Sequence, residues 1–146
     1  MKGQPEPKIP KDEANFGVIH GDINASNFFI KDDCELSVFD WDQTQRGWYL
    51  FDLAQMVWSV TMTKLAGFPM SGAEVPGVDI EQYTKWICEG YGDVDQVQLR
   101  EAVLLRKDFY DKMCRRGVEE GDIPKDMDAF VRWVVSTFDS KVFDQI

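Results

Sequence analysis

Apolar positions follow two rhythms along the chain. Before residue 40 they come in short runs bounded by turn residues, which marks strands; from residue 49 onward they recur every three or four positions, which marks helices. Three strands are predicted, over residues 16–19, 28–30 and 36–39. Lys31, Asp32, Asp33 and Cys34 read as the turn that folds the last two into a hairpin.

Four helices are predicted after the strands. The first, residues 49–66, is unusually apolar, and Asp52 is its only charge from Tyr49 to Thr63. A carboxylate in a first helical turn meets unpaired amides and the positive end of the helix dipole, so a structural role accounts for Asp52. Residues 67–78 hold Pro69, Gly72, Pro76 and Gly77 and are long for a connector, readable as a substrate-covering loop or as a plain surface connection. Asp79 then caps a helix to residue 91, with Ile80, Tyr83, Ile87 and Tyr91 on one face and Trp86 and Cys88 widening it. A helix over 95–116 puts Leu99, Ala102, Val103, Phe109, Tyr110 and Met113 inward, opposite Arg100, Glu101, Asp108, Asp111, Lys112 and Arg115. The last, 124–143, opens with proline at a permitted first-turn position and aligns Met127, Phe130, Val131, Val134, Phe138 and Val142. These stripes read as core, and no internal repeat or low-complexity tract suggests otherwise.

Residues 1–15, with three prolines and three lysines among few apolar side chains, read as an extended, flexible arm. Residues 16–146 then form one α+β domain, predominantly helical, with a short hairpin ahead of about four helices.

Chemistry concentrates between the first two strands, in His20-Gly21-Asp22-Ile23-Asn24-Ala25-Ser26-Asn27, and at Asp40, thirteen positions after Asn27. Phosphoryl transfer needs a carboxylate beside the attacking hydroxyl, plus an amide oxygen and a second carboxylate that hold magnesium against nucleotide phosphates. Asp22, Asn27 and Asp40 supply these groups in that order. A hairpin of this length returns Asp40 to the side of Asn27, where two hard oxygen ligands suit Mg2+. An H-x-D-x-x-x-x-N string also arises by accident on polar loops, and an Asx turn or helix cap would account for Asp22 alone; the flanking strands raise it above that.

H-G-D-I-N-A-S-N, S-V-F-D-W-D and F-D-L-A together resemble the aminoglycoside phosphotransferase and choline kinase group, relatives of the protein kinases. The resemblance runs from Phe16 to Trp58 and implies the C-terminal lobe of a kinase-like fold. It implies transfer from ATP, with Mg2+, to a hydroxyl of a small molecule. By match, Asp22 aligns or deprotonates that hydroxyl, Asn27 and Asp40 bind the metal, and Asp52 braces the loops from the start of a helix. His20, the one histidine, belongs to the catalytic string, with an orienting role through hydrogen bonds rather than that of a base.

Two departures from the family pattern stand out. Asp42 occupies the place where protein kinases carry glycine; small-molecule kinases often carry an acid there, which adds negative charge near the metal. The second departure is larger. Such enzymes also need an upstream lobe with a phosphate-covering loop and a strand lysine, whereas nineteen residues precede His20 and no G-x-G-x-x-G occurs. Lys8 and Lys11 cannot stand in for a lysine fixed on a strand. Weak nucleotide affinity is therefore expected of this chain alone, with activity dependent on a nucleotide-binding lobe from elsewhere. The alternative is a non-catalytic, kinase-like binding or scaffold module, and surface left by the absent lobe suggests self-association.

A formal charge of −10 opposes nucleic-acid binding and favours a cationic acceptor, although most of the carboxylates serve solubility. Glu89, Asp93 and Asp95 are candidate partners for such an acceptor, with helix capping the competing explanation for the last two. Five tryptophans suggest an aromatic cage, with Trp41 and Trp48 the best placed because they flank the 40–42 segment; core packing competes. No run approaches a membrane span or a secretion signal, so a cytoplasmic location is expected. Cys34, Cys88 and Cys114 are odd in number and far apart, which argues for reduced, mostly packed thiols and against a zinc site.

Overall fold

A computed structural model describes residues 9–32, 34–66, 79–92 and 94–139. The loop at 67–78, most of the N-terminal arm, Asp33, Asp93 and residues 140–146 lie outside them.

The predicted hairpin is present. β2 (Phe28–Ile30) pairs antiparallel with β3 (Leu36–Val38), matching Phe28 with Val38 and Ile30 with Leu36. The Phe39 amide continues the ladder by donating to the Asn27 carbonyl at 3.0 Å. Cys34 takes a left-handed backbone, φ 62°, in the connecting turn.

β1 (Phe16–Ile19) does not join that hairpin. It pairs with β4 (Gln45–Trp48), a strand the apolar pattern does not announce, with Gly17 opposite Gly47 and Phe16 opposite Trp48. A short 3-10 turn, Trp41–Gln43, leads from β3 into β4. The catalytic string thus runs from one two-stranded sheet to the other, and the segment after Asp40 runs back.

α1 (Leu50–Ala66) is the central helix. Its Leu53, Ala54, Val57, Trp58 and Met62 form the core with Leu99, Ala102 and Val103 of α3 (Gln96–Glu120), Cys88 of α2 (Ile80–Tyr91) and Val134 of α4 (Asp128–Asp139). Trp58 stacks between Tyr110 and Phe138, with ring centroids at 5.9 and 5.8 Å. An all-round apolar helix is buried on most sides, which explains why α1 lacks a polar face.

The helix ends follow local chemistry. Asp79 accepts amide protons from Glu81 and Gln82, and Asp95 accepts one from Val97, so both are N-caps. α3 passes the predicted stop at 116, with Gly117 packed beneath Ile123, and ends at Gly121, whose left-handed φ of 68° closes the helix. α4 begins at Asp128 rather than at 124, since residues 124–127 form a turn in which the Met127 amide donates to the Pro124 carbonyl.

Four inward assignments are corrected. Trp86 is 58% exposed and does not widen the core face of α2. Tyr91, Met113 and Met127 are also exposed, at the edges of their stripes. Cys88 and Cys114 are packed free thiols, but Cys34 is exposed. Among the described residues, no helix is long and apolar enough to cross a membrane.

Candidate active site

The loop leaving β1 is held from below by one carboxylate. Asp52, in the first turn of α1, accepts the amide protons of His20 at 2.7 Å and Gly21 at 2.9 Å. Gly21 has φ 88°, and a Cβ there would run into the Gln43 carbonyl, so only glycine fits the turn. His20, almost fully buried, links the two segments of the site. A carbonyl can only accept, so His20 Nε2 carries the proton and donates to the Phe39 oxygen at 2.9 Å, while Nδ1 accepts the Asp22 amide proton at 3.3 Å. With its two ring nitrogens committed in this way, the imidazole orients the loop. Trp41 lies over the same ring, centroids 4.6 Å apart.

Asp22 and Asn27 are in contact. Asn27 Nδ2 donates to the Asp22 carbonyl at 2.8 Å and approaches Asp22 Oδ2 at 3.3 Å, which turns Asn27 Oδ1 away from the carboxylate. Asn24 stabilises the turn between them, donating to the Asp22 carbonyl and accepting the Ser26 amide proton. Asp40 follows the Phe39–Asn27 backbone bond by one residue, so the hairpin returns it to the side of Asn27. Its backbone is left-handed, φ 63° and ψ 59°, and its side chain is exposed. Asp42 is exposed in the 3-10 turn. Among the described residues, no three His, Cys, Asp or Glu side chains gather into a cation site. What Asn27 and Asp40 offer is a pair of hard oxygen donors, which fits magnesium, a cation that keeps waters and phosphate oxygens in its shell.

Two residues of the site escaped the sequence reading. Gln55, 1% exposed, donates from Nε2 to Asp22 Oδ1 at 2.8 Å. Arg106 donates to Gln55 Oε1 from Nε at 2.9 Å and to the Gly21 carbonyl from Nη2 at 2.6 Å. The signal for both was a polar side chain on an apolar stripe: Gln55 one turn after Asp52, and Arg106 in step with Leu99, Ala102, Val103 and Tyr110. Burial raises the Asp22 carboxyl above its ordinary value; the nearby Arg106 charge and the Asn24 and Asn27 amides oppose that rise.

A cavity of about 560 Å³ opens on this carboxylate, between the loop, β4 and α3. Asp22, Trp48, Phe51, Arg106, Phe109 and Tyr110 are among its lining residues. Trp48 therefore lines it, whereas Trp41 covers His20 instead. Glu89 pairs with Lys85 at 3.8 Å and Asp95 caps α3; neither lines the cavity.

The model of the phosphotransferase enzyme family matches residues 3–84, more than half of the chain. The chain belongs to that family. Its fold is similar to that of amicoumacin kinase hAmiN, solved in complex with AMP-PNP, Ca2+ and Ami, with a TM-score of 0.58 at 16% identity. The likeness covers 94% of this chain and 40% of that kinase, so the chain spans well under half the length of the solved protein. No curated protein matches it. The family match and the shared fold agree with the α+β, predominantly helical, kinase-like lobe expected from the motifs.

Proposed function

We propose that this phosphotransferase-family chain carries the catalytic half of an ATP- and Mg2+-dependent kinase for a hydroxyl on a small molecule. The observation that carries the reading is the contact of Asn27 with Asp22, which lines the cavity, with Asp40 brought beside Asn27 by the hairpin. Asp22 aligns the acceptor hydroxyl and accepts its proton; burial keeps that carboxylate more basic than an exposed one. Asn27 Oδ1 and the Asp40 carboxylate hold the cation, with Asp42 adding negative charge nearby. Bound magnesium would neutralise charge on the nucleotide phosphates. Asp52 and His20 hold the loop in register, so that Asp22 faces the cavity.

Two supports favour dependence on a further nucleotide-binding lobe. The chain covers 40% of the kinase it resembles in fold, and the sequence lacks a glycine-rich phosphate loop. Ile30 and Leu36, paired across one face of the hairpin, are exposed apolar side chains on which such a lobe, or a second copy, would sit. The cavity wall balances the overall negative charge, since Arg46, Arg106 and Lys112 stand there with Asp22 and Asp108; a cationic acceptor would approach from the carboxylate side. A cytoplasmic setting accords with ATP as donor.

The test compares phosphoryl transfer by the chain alone and by the chain joined to a nucleotide-binding lobe, alongside calorimetry of Mg-ATP. Asp40→Ala is expected to weaken Mg-dependent nucleotide binding about tenfold or more. Asp22→Asn is expected to leave binding intact and remove turnover. Turnover retained by Asp22→Asn would end the proposal.

A further inference from the structure

Gln55 stands between a cation and an anion. Arg106 can only donate and the Asp22 carboxylate can only accept, so the Gln55 amide has one allowed sense: Oε1 toward Arg106, Nε2 toward Asp22. The guanidinium fixes that sense twice over, because Nη2 also donates to Gln55 Oε1 at 2.5 Å. The same Nη2 reaches the Gly21 carbonyl, one residue before Asp22. Tyr110 completes the setting: its hydroxyl lies 3.3 Å from Gln55 Nε2, and its ring lies beneath the guanidinium at 5.4 Å. A buried amide satisfied on both sides by charged groups does not rotate freely.

We infer that Gln55 and Arg106 are a positioning pair for Asp22, with Arg106 fixing the sense of the Gln55 amide and Gln55 fixing the orientation of the carboxylate. The inference rests on the role proposed above for Asp22. Gln55 engages Oδ1 at 2.8 Å, while Asn27 makes a longer approach of 3.3 Å to Oδ2. Oδ2 is accordingly the oxygen left for an acceptor hydroxyl. The neutral amide also keeps Arg106 from closing directly on Asp22 as an ion pair, an arrangement that would engage both oxygens in a bidentate fork and leave neither for the acceptor.

Three measurements on the full chain test the pair. In NMR spectra of the unmodified chain, the Gln55 side-chain amide protons are expected to exchange with water at least about tenfold more slowly than those of the exposed Gln43 and Gln45. In a crystal structure of Gln55→Glu, which keeps the Arg106 partner but replaces the donor by a like charge, Asp22 is expected to turn away from position 55. The Asp52 bonds to His20 and Gly21 should persist there. In transfer assays of the chain joined to a nucleotide-binding lobe, Gln55→Glu is expected to lower kcat about 100-fold, the scale of a misplaced catalytic group, with the nucleotide KM changed less than about threefold. Arg106→Lys, with a single nitrogen in place of a planar fork, should fall between.

Exchange of the Gln55 amide as fast as at Gln43, an unmoved Asp22 in Gln55→Glu, or a nucleotide KM that rises in step with the fall in kcat would each overturn the inference. If Gln55→Glu does not fold, the exchange measurement on the unmodified chain decides. Absence of any phosphoryl transfer even when the chain is joined to a nucleotide-binding lobe, with the first two results as expected, removes the kinase reading and leaves the positioning pair in place.

Discussion

Asp52 and His20 are 32 residues apart in sequence, yet the His20 amide nitrogen lies 2.7 Å from an oxygen of the Asp52 carboxylate. The second oxygen takes the next amide, from Gly21, at 2.9 Å. Two successive backbone donors converge on one side chain at the start of a helix, where its charge is also favoured by the dipole. The loop is therefore fixed by its backbone, independently of what its side chains later bind.

Removing that carboxylate strands both donors. Asp52→Ala is expected to cost about 2–4 kcal/mol of stability, from two partly buried amides left unpaired, and Asp52→Asn about half of that. Urea unfolding monitored by circular dichroism measures both. Losses below about 0.5 kcal/mol for Asp52→Ala would show the brace to be dispensable.

Gly21→Ala is expected to be among the costliest single changes. The residue combines φ 88° with a Cβ position already occupied by the Gln43 carbonyl, and backbone cannot yield as a side-chain tip can. About 3 kcal/mol or more follows from strain plus overpacking. Thermal unfolding of the variant reads it directly.

The tryptophans separate by burial. Trp58→Ala removes a ring stacked against Tyr110 and Phe138 and is expected to cost about 3–5 kcal/mol. Trp86→Ala, at a side chain that is mostly solvated, should stay within about 0.5 kcal/mol. Equal losses at the two positions would contradict the assignment of α2's faces.

Asp22 gives stability a pH dependence of defined sign. Its carboxyl is raised above the ordinary 3.8 mainly by burial, so the folded state holds the proton more tightly than the unfolded state. Its contribution is full below 3.8 and is lost as pH rises through the folded value. Unfolding free energies of the unmodified chain minus those of Asp22→Asn should therefore fall across that window. A difference that rises with pH would mean that the Arg106 charge outweighs burial.

Much of this arrangement was legible from residue order alone. The hairpin announced itself through Phe28-Phe29-Ile30, a polar turn and Leu36-Ser37-Val38, and the helices through their three- and four-residue spacing. β4 was not legible, because Gln45-Arg46-Gly47-Trp48 has no apolar alternation; it is a strand because β1 offers it a ladder and Gly47 packs beneath Ile19. The meeting of the 20–27 loop with the end of β3 followed from the motif and the hairpin length. The Gln55–Arg106 link did not, since it joins helices whose mutual packing no local pattern encodes. Trp86 misled for a related reason: periodicity marks a face, and a neighbour must then cover it.

The bond from Arg106 to the Gly21 carbonyl spans 85 positions. Chain entropy disfavours such a closure until the intervening helices have collapsed, so the Arg106 link to the His20–Asn27 turn is expected to form after the Asp52 bonds. A nascent polypeptide that has emerged only as far as α1 already contains every letter of the phosphotransferase motif, but it lacks the guanidinium that sets the Gln55 amide. Maturation of the centre is thereby tied to docking of α3, and exchange of the Arg106 Nη2 protons, which the Gly21 carbonyl accepts, should report the detachment of that distant helix.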